Sequence, residues 1–217
     1  MTEDRPAVLI EATTLGEAWM AIAAAILTRG VVGNWEGLPL IEVFRATLDV
    51  DSPRIDDPIV ARYGDPDRLA WMHANFTDHS RVAALGDADS YATRLYDYAR
   101  TGRDQLRWVI DRLAANPWTR DATLTTFQPL TDTSYVPCVS LLDFWLVDGR
   151  LQLGVYAHSI DFGTKGYGNL VELAALQDRV AGELGAGIGT LTMTVKSAHI
   201  YETELDLMRG LVAATSP

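Results

Sequence analysis

Cysteine is nearly absent from this 217-residue chain; the one copy, Cys138, cannot close an internal disulfide and rules out a cysteine-rich metal site. Positive charge is also scarce, with 18 basic against 29 acidic residues and a formal net charge of −11. That balance argues against general attraction to nucleic-acid phosphates or to an anionic membrane face. No apolar run approaches the roughly 20 residues of a spanning helix. The longest, Ala18–Leu27, holds Trp19 and Met20 in the pattern of a buried helix. Met1-Thr2-Glu3-Asp4 lacks the basic start of a secretory signal. The expected setting is therefore cytoplasmic, with neither nucleic acid nor membrane as partner. Histidines 73, 79, 158 and 199 share no ligand spacing, so no metal is expected. Repeats and low-complexity tracts are missing too. What is present is a composition 48% apolar and 22% charged, enough for a sizeable core in one domain spanning 1–217.

The order of elements reads as mixed α and β, an α+β fold. Ala7–Glu11 reads as a strand, and Thr14-x-x-Glu17 is a capping-box signature opening a helix that stops at Gly30. Leu38–Val50 alternates loosely as a strand, whereas Asp51–Asp67, with prolines at 53, 58 and 66, reads as a turn-rich connection. Leu106, Val109, Ile110 and Leu113 place a helix over Asp104–Ala115, ended by Asn116-Pro117. Val139–Val147 and Arg150–Ser159 are apolar runs joined by Asp148-Gly149, the signal of a tight hairpin. Leu170–Leu184 returns to helical spacing with Gly185 as its stop, and Thr190–Val195 alternates as a half-buried strand leading into 197–201.

Two glycine clusters, Gly163–Gly168 and Gly185–Gly189, invite a phosphate-loop reading, but neither carries G-x-G-x-x-G or G-K-[ST], and plain turns explain both. Cys138 follows Pro137 at the entrance of the hairpin strand. A lone cysteine in apolar surroundings is commonly a small core residue; a fixed cation nearby would instead make it a nucleophile by favouring the thiolate.

Asn116-Pro117-Trp118-Thr119-Arg120, Pro137-Cys138, Ser159-x-Asp161, Asn169 and Ala198-His199-Ile200-Tyr201 stand in the order and spacing of thymidylate synthase landmarks. Upstream, Ser90-Tyr91-Ala92-Thr93-Arg94-Leu95 and Asp104-Gln105-Leu106 resemble segments of the short archaeal-type members. The resemblance covers about Tyr91 to Tyr201 and implies a thymidylate-synthase-like mixed sheet with covering helices, in a homodimer. It also implies roles. Cys138 would add to C6 of a pyrimidine nucleotide or nucleoside, making C5 a carbon nucleophile toward 5,10-methylenetetrahydrofolate or a related reduced pterin. Asn169 would read the N3–O4 edge of the base. His199 and Tyr201 would hold the sugar hydroxyl, and Asp161 and Tyr91 would line the folate and base sides. Ser159 and Arg120 would meet a phosphate, Arg120 reaching across a two-fold dimer and lowering the Cys138 pKa, and His158 would contact the substrate beside them.

Departures from the family pattern bear on the same site. Arg68 stands where the family has an acid serving proton transfer, His158 and Asp121 where it has arginines, and Arg29-Gly30 is a weak substitute for its phosphate loop. Val139, Asp143 and Ala157 replace a histidine and two glutamines near the nucleophile. With one arginine of four matched, the resemblance implies weak phosphate binding and a specialised C5 methylation or hydroxymethylation in modified-nucleoside biosynthesis. A non-phosphorylated substrate, contacted by His158 or Lys165, is a further reading. The alternative is an inactive homodimer that binds a nucleotide or folate as a regulatory or scaffold protein.

Overall fold

The structure is a computed structural model that describes residues 7–133 and 135–215. Its strands are β1 (Val8–Ala12), β2 (Val31–Trp35), β3 (Leu38–Val50), β4 (Arg81–Val82), β5 (Ala88–Asp89), β6 (Thr123–Thr125), β7 (Val139–Val147), β8 (Arg150–Asp161) and β9 (Gly187–Tyr201). Its helices are α1 (Leu15–Arg29), α2 (Pro58–Tyr63), α3 (Pro66–Thr77), α4 (Tyr91–Tyr96), α5 (Gln105–Ala115), α6 (Gly166–Leu184) and α7 (Leu205–Thr215). One mixed sheet runs β1-β3-β9-β8-β7-β6, with β2 on the free end of β3, while β4 and β5 pair apart. β1 and β3 are parallel, as are β8 and β9, and the remaining neighbours are antiparallel. The expected α+β, thymidylate-synthase-like mixed sheet is what forms.

Alternation decides which face of the sheet is covered. Leu48, Val50, Leu151, Leu153, Leu191 and Met193 are fully buried on the side of α1 and α6. Their neighbours Thr47, Asp49, Thr192 and Thr194 point the other way. There Asp49 accepts a 2.7 Å hydrogen bond from Thr192.

The local signals act where expected. Thr14 Oγ1 accepts from the Glu17 amide at 3.3 Å, while Glu17 Oε2 accepts from the Thr14 amide at 3.2 Å, so α1 opens on a complete capping box. Asp148 and Gly149 take φ of 49° and 72°, the left-handed pair that a two-residue β7–β8 turn requires. Gly185 has φ 62°, and the Ala186 amide returns to the Ala181 carbonyl, closing α6.

The connection expected over Asp51–Asp67 is a correction: it contains α2 and the start of α3. Pro58 and Pro66 do not break helices here. Each opens one, with Asp57 and Asp65 accepting the first free amides. Asp57 also accepts from the Gly16 amide at 2.9 Å, and a Cβ on Gly16 would lie 2.3 Å from the Asp57 carboxylate. That close approach packs α2 on α1.

A line of irregularity crosses the sheet. Ser140 is an extra residue in β7 where the register shifts against β8 between Val139 and Leu141. His158, Lys196 and Arg45 lie at the same level in β8, β9 and β3, and Arg45 takes a φ of 59°. Bulges re-aim side chains. Below this line the apolar alternation is interrupted once, by the register shift of β8 against β9 between Leu151 and Leu153. Above it Ser159, Asp161, Ser197, His199 and Tyr201 gather on the strand ends.

Candidate active site around Cys138

Cys138 precedes β7, and the backbone around it is held from three sides. The Val139 amide donates to the Tyr91 hydroxyl at 3.0 Å, the His158 amide donates to the Cys138 carbonyl at 3.0 Å, and Thr126 Oγ1 donates to the Val139 carbonyl. Tyr91 is buried at the start of α4 and stacks on Phe76 with centroids 4.5 Å apart. The loop leading to Cys138 is tethered by Arg94, whose side chain is 2% exposed. This guanidinium makes two 2.7 Å bonds to Asp132 and donates to the carbonyls of Thr126 and Asp89.

Across from the sulfur lies the β8–α6 connection. Asp161, 8% exposed, folds back on it and accepts from the Gly163 amide at 2.9 Å, from the Thr164 amide at 3.3 Å and from Thr164 Oγ1. The next residue, Lys165, precedes α6 and holds its ammonium 5.8 Å from the centre of the Trp71 ring. Asn169, 5% exposed on the first turn of α6, donates from Nδ2 to the Lys165 carbonyl at 3.1 Å. The connection is fastened to α1, since Trp19 Nε1 donates to the Phe162 carbonyl at 2.9 Å and the Trp19 and Tyr167 rings meet at 4.3 Å.

His199 pairs with Asp161 on β8 and with Glu42 on β3, its Nδ1 lies 3.5 Å from Ser159 Oγ, and its ring meets Tyr201 edge-on at 5.1 Å. Burial pushes the imidazole pKa down, against the raising pull of Asp161 and Glu42. A neutral ring at neutral pH is the outcome.

Burial also pushes the Cys138 thiol up; the Lys165 charge pulls it back, Asp161 opposes that, and a hydrogen bond from Tyr135 lowers it again. The thiol is therefore protonated at neutral pH in the single chain, where Arg120 does not reach it. That residue is exposed and is not among the groups acting on the sulfur. Tyr135 was missed by sequence reasoning. Its signal was slight: a phenol three residues before a cysteine, in a segment with no periodicity. Burial drives the Tyr135 pKa up, and Cys138 adds to it.

The structure thus brings Cys138, Tyr91, Asp161, Asn169, Ser159, His199 and Tyr201 to one end of the sheet. Two further expected substrate contacts, His158 and Arg120, are not part of that group in the single chain. His158 turns its ring to Ser140, 3.4 Å away, and burial with the nearby Lys196 charge lowers its pKa. Arg120 follows Trp118, which is 85% exposed, on the loop after α5. Asp121 does not stand as a bare repelling charge, because it accepts from Arg112 and from Thr119 Oγ1. Arg68 lies on α3 at a small cavity of about 110 Å³ that also touches Trp19, Thr164, Tyr167 and Glu204. No helix among the described residues is long and apolar enough to cross a membrane.

Comparison with known proteins gives the family. A protein described as "Putative thymidylate synthase" from Methanosarcina barkeri is 31% identical over 212 residues, covering 94% of each chain. One of the same description from Methanothermobacter thermautotrophicus is 32% identical over 208 residues, covering 89% of this chain and 93% of that one. "Thymidylate synthase" of human herpesvirus 8 is 31% identical over 129 residues, 58% of this chain and 36% of the viral protein. The family profile described as thymidylate synthase matches residues 60–216, and the chain belongs to that family.

Proposed function

We propose that this protein transfers a one-carbon unit to C5 of a pyrimidine nucleotide or nucleoside through a Cys138 adduct at C6. Family membership supports a C5 transferase on a pyrimidine. The observation that carries the reading is the convergence of Cys138, Asp161, Asn169, His199 and Tyr201 on one end of the sheet. Cys138 Sγ, on losing its proton, adds to C6, and the electron pair moves to C5, which attacks the carbon donor. Loss of the C5 proton would then let the donor amine leave as the C–N bond breaks, giving an exocyclic methylene on C5; hydride from the reduced donor (methylation) or water (hydroxymethylation) would add to that carbon as the sulfur is expelled and the ring restored. Asn169 has its Nδ2 turned to the Lys165 carbonyl, so its amide oxygen is the acceptor it offers to a ring N3–H. His199 and Tyr201 hold the sugar.

A reduced folate supplies the carbon when bound. The residues present fit such a group: the half-buried Trp71 indole offers a ring face beside Lys165, whose ammonium suits an anion, and beside the Asp161 turn. Arg68 in place of an acid leaves the proton relay of the resemblance without its usual group, which favours a specialised methylation or hydroxymethylation in modified-nucleoside synthesis.

The reading includes a homodimer through the face of the sheet that no helix covers. Leu9 is 63%, Leu141 40%, Trp145 37%, Val147 46% and Tyr156 42% exposed there. Such an apolar face invites a second copy. Within that dimer Arg120, exposed on its own chain, would meet the phosphate of the neighbouring site.

The experiment is release of tritium from a C5-labelled uridine or cytidine, with and without 5′-phosphate, given methylenetetrahydrofolate. Exchange that disappears in Cys138→Ala is expected. Exchange retained by that variant removes the covalent route, and nucleotide or folate binding without any exchange in the native protein replaces the enzyme with a regulatory binder.

A further inference from the structure

Resting on Cys138 as the nucleophile, we propose that Thr126 is a positioning residue for it: the Thr126 hydroxyl holds β7 in the bulged form that sets where Sγ stands. In an unbroken strand successive carbonyls point to opposite edges, so a neighbouring strand meets every second one. At the bulge that order fails. The carbonyls of Val139 and Ser140, adjacent in sequence, both turn to residue 126; the first accepts from Thr126 Oγ1, the second from the Thr126 amide at 3.1 Å. One residue has one backbone N–H, and here it is spent on Ser140, which takes a further donor from Thr125 Oγ1 at 2.8 Å. On the other edge the His158 amide of β8 is spent on the Cys138 carbonyl at 3.0 Å.

The Val139 carbonyl is thus left to a side-chain donor. Thr126 is 1% exposed and Val139 is fully buried, so solvent does not reach the pair to replace the hydroxyl. An apolar residue at 126 would leave a buried carbonyl bare and favour the strand without its bulge. Ser140 is the extra residue, so losing the bulge moves the segment before it by one position, and a one-residue slip exchanges the two faces of a strand. Cys138 lies in that segment.

Thr126 is itself a fixed point. The Arg94 guanidinium donates to its carbonyl at 2.8 Å, and the Gln105 side chain donates to the Thr125 carbonyl at 2.7 Å, so α4 and α5 both grip the end of β6. The Tyr91 hydroxyl, accepting from the Val139 amide at 3.0 Å, holds the other side of the same peptide run. Asn169, His199 and Tyr201 stand on α6 and β9, and none of the described Thr126 hydrogen bonds goes there. Thr126 therefore bears on attack by the sulfur and not on the grip on the ligand.

The test measures tritium release at saturation from C5-labelled uridine, cytidine or their 5′-monophosphates with methylenetetrahydrofolate, beside calorimetric Kd values for the unlabelled ligands. Thr126→Val keeps the shape and removes the hydroxyl. Its turnover is expected to fall by about ten- to a hundredfold, the cost of a nucleophile misplaced by up to about 1 Å, while Kd stays within about twofold. Thr126→Ser restores the donor and returns turnover to within about threefold of native. Thr123→Val, which removes a hydroxyl of the same strand bonded to Asp143 at 2.7 Å, leaves both quantities in place. A Thr126→Val turnover equal to native overturns the proposal, as does a Ser variant as slow as Val, or a Kd that weakens as much as turnover falls. Should Thr126→Val not fold, Thr126→Ser decides: turnover near native sustains the proposal, and slowing beyond about tenfold overturns it. Native exchange left intact by Thr126→Val removes Thr126 and leaves the transferase standing. A native protein that releases no tritium removes the transferase reading, and the role of Thr126 with it.

Discussion

Asn169, His199 and Asp161 are 5%, 6% and 8% exposed, and each is tied to backbone or to a neighbour in the same chain. Arg120 is exposed on its loop, and His158 is turned toward Ser140. The first group would face the ring and sugar of a ligand; the second would face its phosphate. On the proposed reading, a single chain preorganises recognition of the base, whereas recognition of an anion would draw on an exposed guanidinium and on an imidazole turned to a neighbour in its own chain. Preorganised donors and acceptors need little rearrangement to bind, and a solvated guanidinium must give up water and side-chain freedom.

The comparison breaks most severely if the scaffold behind the base end is removed. Asp132→Ala leaves the Arg94 guanidinium buried without its partner, at a cost of about 3–5 kcal/mol, read as a lower midpoint in urea unfolding. A change below about 1 kcal/mol would mean that the loop before Cys138 is held by its other contacts. Next in size, Asn169→Ala is expected to reduce the preference between uridine and cytidine ligands by about ten- to a hundredfold in calorimetry, the loss of one well-placed buried hydrogen bond. An unchanged preference would take Asn169 away from the base edge.

At the other end, Arg120→Ala should narrow the affinity gap between a nucleotide and its nucleoside by about tenfold, as loss of one charge-assisted contact does. The same variant leaves the nucleoside affinity alone; a loss shared by both ligands would place Arg120 at the base instead. The smallest effect concerns pH. Because burial and Lys196 hold the His158 imidazole below its ordinary pKa, the ring is neutral above that value and gains its proton only as pH falls through the lowered one. Nucleotide affinity should stay flat from about pH 8 to 7 and rise only below about 6.5, the ordinary imidazole value. A rise already complete at pH 7 would show that His158 is charged and faces the phosphate.

Which parts of this were legible in the sequence follows the same divide. The β7–β8 hairpin was readable because Asp148-Gly149 asks for positive φ at both residues, a purely local demand. The capping box at Thr14 and Glu17 and the stop at Gly185 were local in the same sense. Pro58 and Pro66 were misread because proline marks both the end of a helix and its first turn, and the aspartates before them decide between the two. The first turn of α6, Gly166-Tyr167-Gly168-Asn169, is not legible as helix in the sequence because two glycines weaken the periodic signal there. Of the site, landmarks spaced as in a known family placed Cys138, Asp161, Asn169, His199 and Tyr201 together. The buried Arg94–Asp132 pair that tethers the approach to Cys138 has no such spacing, because it joins residues 38 positions apart.

The bulge at Ser140, aligned with His158, Lys196 and Arg45, divides each central strand into two stretches that answer to different demands. Below it, residues must satisfy the helices on one side and whatever meets the bare surface on the other. Above it, Ile160, Ala198 and Ile200 remain in the core, while Ser159, Asp161 and His199 stand at the strand ends where the proposed ligand would sit. On the proposed reading, substitutions confined to those site residues would leave the core beneath intact, so a chain of this shape could exchange one ligand for another while its foundations stayed as they were.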